Sequence, residues 1–247
     1  MTDIPKSHPR YISLVTRERL VEMMHRGIVS EAGLIAHGRG EAFDYLLGER
    51  TGDFAYDAER AAVAMLITAE HPVISVNGNA AALAGKELLE LAELVGAVVE
   101  VNLFHRTEER VRLIVEYLQS LGGKGVLGPE PDASIPGLEH ARALCHKEGI
   151  YSADVVLVPL EDGDRAEAIK KMGKIVVTID LNPMSRTAKA ADVTIVNNII
   201  RAVPEMVDLA RRMNDTTSDG LRGIIERYDN SAVLRSSLNE MLSRLED

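Results

Sequence analysis

From Pro72 the chain alternates short apolar runs with helix-length amphipathic stretches, and no other feature limits its fold so tightly. Residues 73–76, 97–103, 154–158, 174–179 and 192–196 are apolar at most positions. A strand wetted on one face would alternate apolar and polar residues, so these strands are expected to be buried on both faces. Between them, helices are expected over 80–95, 107–121, 138–148 and 164–172, with a further short strand at Val126-Leu127. Such alternation gives an α/β fold, a parallel sheet covered by helices on both faces.

The first 70 residues read as helical. Thr16 is placed to cap a helix over 17–26, and Ser30 a short one that stops near Gly38. A third helix is expected over 41–50 and a fourth over 57–70, ended by Pro72. After residue 198 the chain is helical again. There Val233, Leu234, Leu238, Met241, Leu242 and Leu245 form an apolar stripe, suited to packing on the body or on a second subunit. The expected organisation is one α/β domain over 1–247. It has a helical N-terminal segment (1–70), a sheet core (72–198) and C-terminal helices (199–247).

Composition removes several functions. The formal net charge of −10 argues against a nucleic-acid binder, which needs a basic face. No apolar stretch is long enough to cross a bilayer, and no signal peptide is evident. The single cysteine, Cys145, fits a reducing compartment, so a cytoplasmic location is expected. It is read as a buried, inert thiol in a helix. The seven histidines show no H-E-x-x-H arrangement, and no protein-held transition metal is expected.

In an open parallel sheet, ligands bind beyond the C-terminal ends of the strands. That rule selects four loops. Asp180-Leu181-Asn182 through Arg186-Thr187 follows one strand and opens a short helix. Its Asp suits ribose or base, and its Arg with helix amides suits phosphate. The plainer reading is a solvated turn. Asn197-Asn198 ends the next strand, where an amide can read a purine edge or simply cap a helix. Asn77-Gly78-Asn79 lacks G-x-G-x-x-G, which weakens a dinucleotide reading, and Walker A is absent. His105-Arg106 suits phosphate recognition or proton transfer, with a surface loop as its plainer alternative. Within the N-terminal helices, Arg17 and the glycine-flanked Arg39 stand out in an acidic chain.

Taken together, these segments resemble the archaeal phosphopantothenate synthetases, the 4-phosphopantoate–β-alanine ligases. The resemblance lies in Ile4–Tyr11, Thr16-Arg17-Glu18-Arg19, the long block Gly33–Gly48, Val76–Asn79, Asp180–Ala188 and Asn197-Asn198, and covers essentially the whole chain. It implies that ATP (with Mg²⁺), 4-phosphopantoate and β-alanine give 4′-phosphopantothenate, AMP and diphosphate on the route to coenzyme A. It also implies a Rossmann-like fold, a parallel sheet covered by helices, and a homodimer. The implied nucleotide contacts are Arg17, Arg39, Asp180, Leu181, Asn182, Arg186, Thr187, Asn198 and Ile199. Asn77, Asn79, His105 and Arg106 are the candidates for phosphopantoate, and no residue is nominated for the proton chemistry. The competing reading is a non-catalytic nucleotide-binding regulatory protein, which needs the same nucleotide loops but no acyl-acceptor site.

Overall fold

The structure, a computed structural model, describes residues 4–244. Three helices come first: α1 (Tyr11–His25), α2 (Glu31–Leu46) and α3 (Asp53–Thr68). The strands that follow are β1 (Pro72–Val76), β2 (Val98–Val101), the two-residue β3 (Ala133–Ser134) and β4 (Leu144–Cys145), then β5 (Val155–Leu157), β6 (Ile175–Ile179) and β7 (Val193–Ile195). Among them lie α4 (Gly78–Val95), α5 (Glu108–Ser120), α6 (Gly163–Lys171) and α7 (Arg186–Ala190). The C-terminal helices are α8 (Ile199–Met213), α9 (Ser218–Arg227) and α10 (Asn230–Ser243). The main sheet is parallel, in the order β2-β1-β5-β6-β7.

The strands sort their side chains into two cores, as burial on both faces requires. Ile74, Val76, Leu157, Val177, Ile179 and Ile195 face α3, α4 and α8. Val73, Val156, Val158 and Val176 face α6 and the segment carrying Ile135, Cys145 and Ile150. Four percent aromatic content is enough because helix surfaces do the filling. Ala58, Ala61, Ala62 and Ala64 of α3, with Ala80, Ala81 and Ala82 of α4, are fully buried. Small side chains let these helices approach the sheet and α8 closely.

Three expectations fail for physical reasons. Gly38 does not stop a helix: α2 runs through Gly38 and Gly40, capped by Ser30, whose hydroxyl accepts from the Gly33 N–H (3.2 Å). Thr16 caps nothing. It lies inside α1, and its hydroxyl donates to the Ile12 carbonyl (2.7 Å). No α-helix spans 138–148, so Cys145 and His146 are not helical. The buried carboxylate of Glu100 on β2 takes the backbone N–H groups of His146 (3.1 Å) and Ile150 (2.8 Å). The Ile135 N–H takes the Ala143 carbonyl (2.8 Å). With its backbone groups so committed, the segment becomes a short hairpin and an irregular turn. Val126-Leu127 contributes one bridge, Leu127 to Glu100. Of the C-terminal stripe, Val233 and Met241 pack in the core, while Leu242 is exposed and Leu245 lies outside the described residues.

The glycines make a paired prediction. A Cβ on Gly78 would collide with the Ile28 carbonyl, whereas one on Gly38 meets nothing within 4 Å. Gly78→Ala should lose about 1–3 kcal/mol by denaturant titration. Gly38→Ala should gain roughly 0.5–1 kcal/mol by removing a mid-helix glycine.

Candidate active site

The strand order reverses between β1 and β5, and such a switch point opens a crevice at the C-terminal edge. At the β6 end the turn is built by its own side chains. The Asp180 carboxylate accepts from the Asn182 N–H (2.9 Å) and from the Ser185 hydroxyl. Asn182 Oδ1 accepts from the Met184 N–H (3.0 Å), and Ser185 caps α7 through the Ala188 N–H (2.9 Å). Burial pushes the Asp180 carboxyl above its usual range, outweighing Ser185, the Asn182 N–H and the nearby Arg39 guanidinium. Arg39 arrives because α2 lies across this edge. A Cβ on Gly40 would stand 3.8 Å from Leu181 Cδ1. The structure therefore brings Arg39, Asp180, Leu181 and Asn182 together.

Arg186 turns toward α6. Its Nε and Nη2 reach Glu167 Oε1 (3.2 and 2.9 Å) and its Nη1 reaches Asp164 (2.7 Å). These carboxylates raise its pKa. Thr187 is buried, and its hydroxyl donates to the Glu161 carbonyl (2.9 Å). At the β7 end, Asn198 caps α8 through the Ile200 N–H (3.3 Å) and donates to Asp44 on α2 (2.7 Å). Ile199, the first residue of α8, is buried. Arg17 pairs with Glu41 across α1 and α2 (2.6 Å), and the Ser13 hydroxyl donates to the same carboxylate. Burial works against the charge on Glu41, but these two donors outweigh it and hold the carboxyl below its usual range.

On the β1–β2 side the side chains are already engaged. Asn77 caps α4 by accepting from the Ala80 N–H (3.0 Å). It also donates to the Pro159 and Leu160 carbonyls (3.1 and 3.0 Å). Asn79 donates to the Gly33 carbonyl (2.8 Å). Arg106, half-buried, donates to the Gly128 carbonyl (2.6 Å). His105 is exposed, its ring edge-on to Phe104 at 4.7 Å. Arg142 stacks over the same Phe104 (4.7 Å) and pairs with Asp162 (2.9 Å), joining this edge to the loop after β5.

A cavity of about 750 Å³ between α3, α9 and α10 is lined by Arg50, Phe54, Arg60, Arg227 and Glu240, and by no residue of these strand-edge loops. A second, of about 570 Å³, is lined by Asn198 itself together with His37, Glu41 and Asp44. Position, not size, decides between them.

Comparison with known proteins gives this edge its context. Residues 54–244 match the family described as phosphopantothenate/pantothenate synthetase. The chain belongs to this family. Its relatives include a 4-phosphopantoate–β-alanine ligase of Thermococcus kodakarensis, 58% identical over 99% of this chain and 94% of that protein. The ligase of the same name from Methanosarcina mazei is 54% identical over 99% of this chain and 96% of its own length. The family is the one the residue blocks resemble.

Several residues at this edge were not singled out from the sequence. Asp44 is one; it shares a face of α2, at i, i+4 and i+7, with His37 and Glu41 of the segment around Arg39 that the sequence did mark, a legible signal. Arg142 and Glu161 had none, since distant segments bring them in. Glu59 is the least expected. It is fully buried on α3, and its Oε1 accepts from Asn197 Nδ2 (2.9 Å). Burial, then the neighbouring Glu205, push its carboxyl up to about 9, so it carries a proton at neutral pH. Asn197 Oδ1 in turn accepts from the Asn198 N–H (2.8 Å) and from Arg201 Nε (3.0 Å).

An acid whose pKa rises on folding stabilises the native state fully below its unfolded value, and that contribution is lost as pH climbs toward its folded value. Glu59→Gln keeps the shape and removes the titration. Its melting temperature relative to wild type should therefore rise steadily between pH 5 and about 9. A constant difference across that range would show that Glu59 ionises normally.

Proposed function

We propose that the chain is an ATP-dependent ligase that joins 4-phosphopantoate to β-alanine, releasing 4′-phosphopantothenate, AMP and diphosphate, in coenzyme A biosynthesis. One observation carries the reading from the structural side. Helix α2 lies across the sheet edge and sets Arg39 beside Asp180, at the same edge where Asn198 caps α8. The names of the relatives, which cover nearly the whole chain, give the substrates.

In this reading the phosphopantoate carboxylate attacks the α-phosphate, displaces diphosphate and forms an acyl-adenylate. The β-alanine amine then attacks the acyl carbon and expels AMP. Two anions meet in the first step, so cations must offset their repulsion. Arg39 has no hydrogen bond or close ion pair among the described residues and is free to meet the triphosphate. Arg17 meets the triphosphate while keeping its largely buried partner Glu41, whereas Arg186 holds Asp164 and Glu167 through solvent-exposed groups. Such exposed pairs are worth little, so exchanging carboxylate for phosphate costs little. Asp180 and Asn182 take ribose or base, Asn198 the adenine or ribose, and Leu181, Thr187 and Ile199 contribute backbone and shape.

No three His, Cys, Asp or Glu side chains among the described residues are arranged to hold a metal ion. In this reading Mg²⁺ comes with the triphosphate, whose oxygens suit it. For phosphopantoate the candidates remain Asn77, Asn79, His105 and Arg106. Because the Asn77 and Asn79 side chains are engaged, this end of the site offers the backbone N–H groups that open α4, at the positive end of the helix dipole. Ile12, Ile35, Tyr45 and Leu46, exposed on α1 and α2, suit the homodimer that belongs to this reading. No helix among the described residues is long and apolar enough to cross a membrane.

The test is nucleotide turnover with both co-substrates, resolving AMP from ADP. AMP formed only with 4-phosphopantoate and β-alanine together, and not with unphosphorylated pantoate, is the expected result. ADP, or ATP binding without turnover, would overturn the adenylating route. Arg106→Ala should raise KM for phosphopantoate about tenfold or more and leave KM for ATP within about twofold. Equal small changes in both would remove Arg106 from the site.

A further inference from the structure

The cavity of about 570 Å³ beside Asn198 is enclosed by α1, α2, the second turn of α4 and the first turn of α8. Ile12, Leu83, Ile200 and Pro204 give it an apolar part, and charged side chains of both signs line the rest. Arg201 is committed to Asp44, and Glu41 to Arg17 and Ser13. Beside the exposed Glu49, two groups about one helical turn apart along α4 are left less committed. Arg19 of α1 reaches only the Leu83 carbonyl, at 3.4 Å, where α4 departs from helical geometry at Ala84. Glu87 of α4 is half-buried and has no hydrogen-bond or ion-pair partner among the described residues.

A third group is His37. Its Nε2 is buried and unpartnered. Burial, more than the nearby Arg17, depresses its pKa despite Glu41 and Asp44, so the ring is neutral at physiological pH. A neutral imidazole with a free ring nitrogen is a proton acceptor.

The charge pattern selects the ligand class. A phosphate dianion would meet Glu41, Asp44, Glu49 and Glu87 against three arginines, Arg10, Arg19 and Arg201. A short zwitterion meets one cation and one anion at its two ends. We propose that this cavity is the acceptor subsite of the ligase, binding a short ω-amino acid with its carboxylate toward Arg19, its ammonium toward Glu87 and its nitrogen within reach of His37. The inference rests on the ligase reading above. The chamber exceeds the volume of such an amino acid, which leaves room for the acyl end of the adenylate beside Asn198.

The step balances. The ammonium gives one proton to His37 Nε2, and the freed lone pair attacks the acyl carbon. The C–N bond forms. The bond from the acyl carbon to the AMP oxygen breaks, and AMP leaves with that electron pair. The second nitrogen proton passes to solvent as the amide forms.

The experiment uses the full chain and two readouts: complete ligation, and phosphopantoate-dependent exchange of labelled diphosphate into ATP without β-alanine. Arg19→Met and Glu87→Gln should each raise KM for β-alanine about tenfold or more while exchange stays within about twofold of wild type. His37→Gln should lower kcat for ligation on the order of a hundredfold, leave exchange intact, and remove the low-pH limb of kcat/KM for β-alanine. Unchanged KM for β-alanine in both Arg19→Met and Glu87→Gln overturns the subsite, as does an equal loss of exchange and ligation. If wild type shows neither exchange nor AMP formation, the ligase reading itself fails and the subsite with it. If wild type is active and only the variants behave otherwise than stated, the subsite alone fails.

Discussion

One side-chain amide ties three elements together at the point where the strand order of the sheet turns. Asn77 sits at the end of β1, caps α4 with its oxygen and ties down the Pro159 and Leu160 carbonyls with its nitrogen. Strand β1, helix α4 and the loop leaving β5 thus share one residue. Helix α4 packs along α8, so the position of the β7 edge follows from the same anchor. Replacing the amide would strand a helix N–H and two carbonyls away from water, at about 1–3 kcal/mol for each group left unpaired. A group so committed organises the crevice and is not free to rearrange around a ligand.

Over that anchor the N-terminal helices are held by charge as well as by packing. Asp44 is buried on α2 and meets Arg201 and Asn198 from α8. Glu41 on the same helix meets Arg17 and Ser13 of α1. Burying a carboxylate is costly unless its donors are well placed, and removing one donor leaves that cost exposed. These contacts therefore fix where α2 lies more than they add to stability. Where α2 lies decides whether Arg39 stands beside Asp180. The protonated Glu59 acts one layer deeper, holding Asn197, which in turn holds Asn198 and Arg201.

The strands were legible because full burial leaves an uninterrupted apolar run, and the loops because strand ends are where such sheets bind. Ser30, Ser185 and Asn198 cap the helices their residue types suggest. What could not be read depended on contacts distant in sequence. The segment 138–148 has the length and apolar spacing of a helix, but Glu100, some 46 residues before His146, claims its backbone. Gly38 looks like a stop, but tertiary contacts of α2 override a small propensity cost. Asn77 and Asn79 have the chemistry of ligand-binding amides, and only the structure shows that their side chains serve α4 and α2. Arg186 was legible as a cation at the right turn, whereas its present partners, Glu167 and Asp164, were not.

In the adenylating route one carboxylate oxygen attacks phosphorus, and its bond to the acyl carbon later breaks as AMP leaves. The most direct test follows oxygen. Ligation is run with 4-phosphopantoate carrying ¹⁸O in both carboxylate oxygens, and the products are analysed by mass spectrometry. The account predicts that AMP acquires one labelled oxygen per turnover, because the adenylate's C–O bond breaks on the acyl side. Unlabelled AMP, or label in inorganic phosphate with ADP as the nucleotide product, would contradict it.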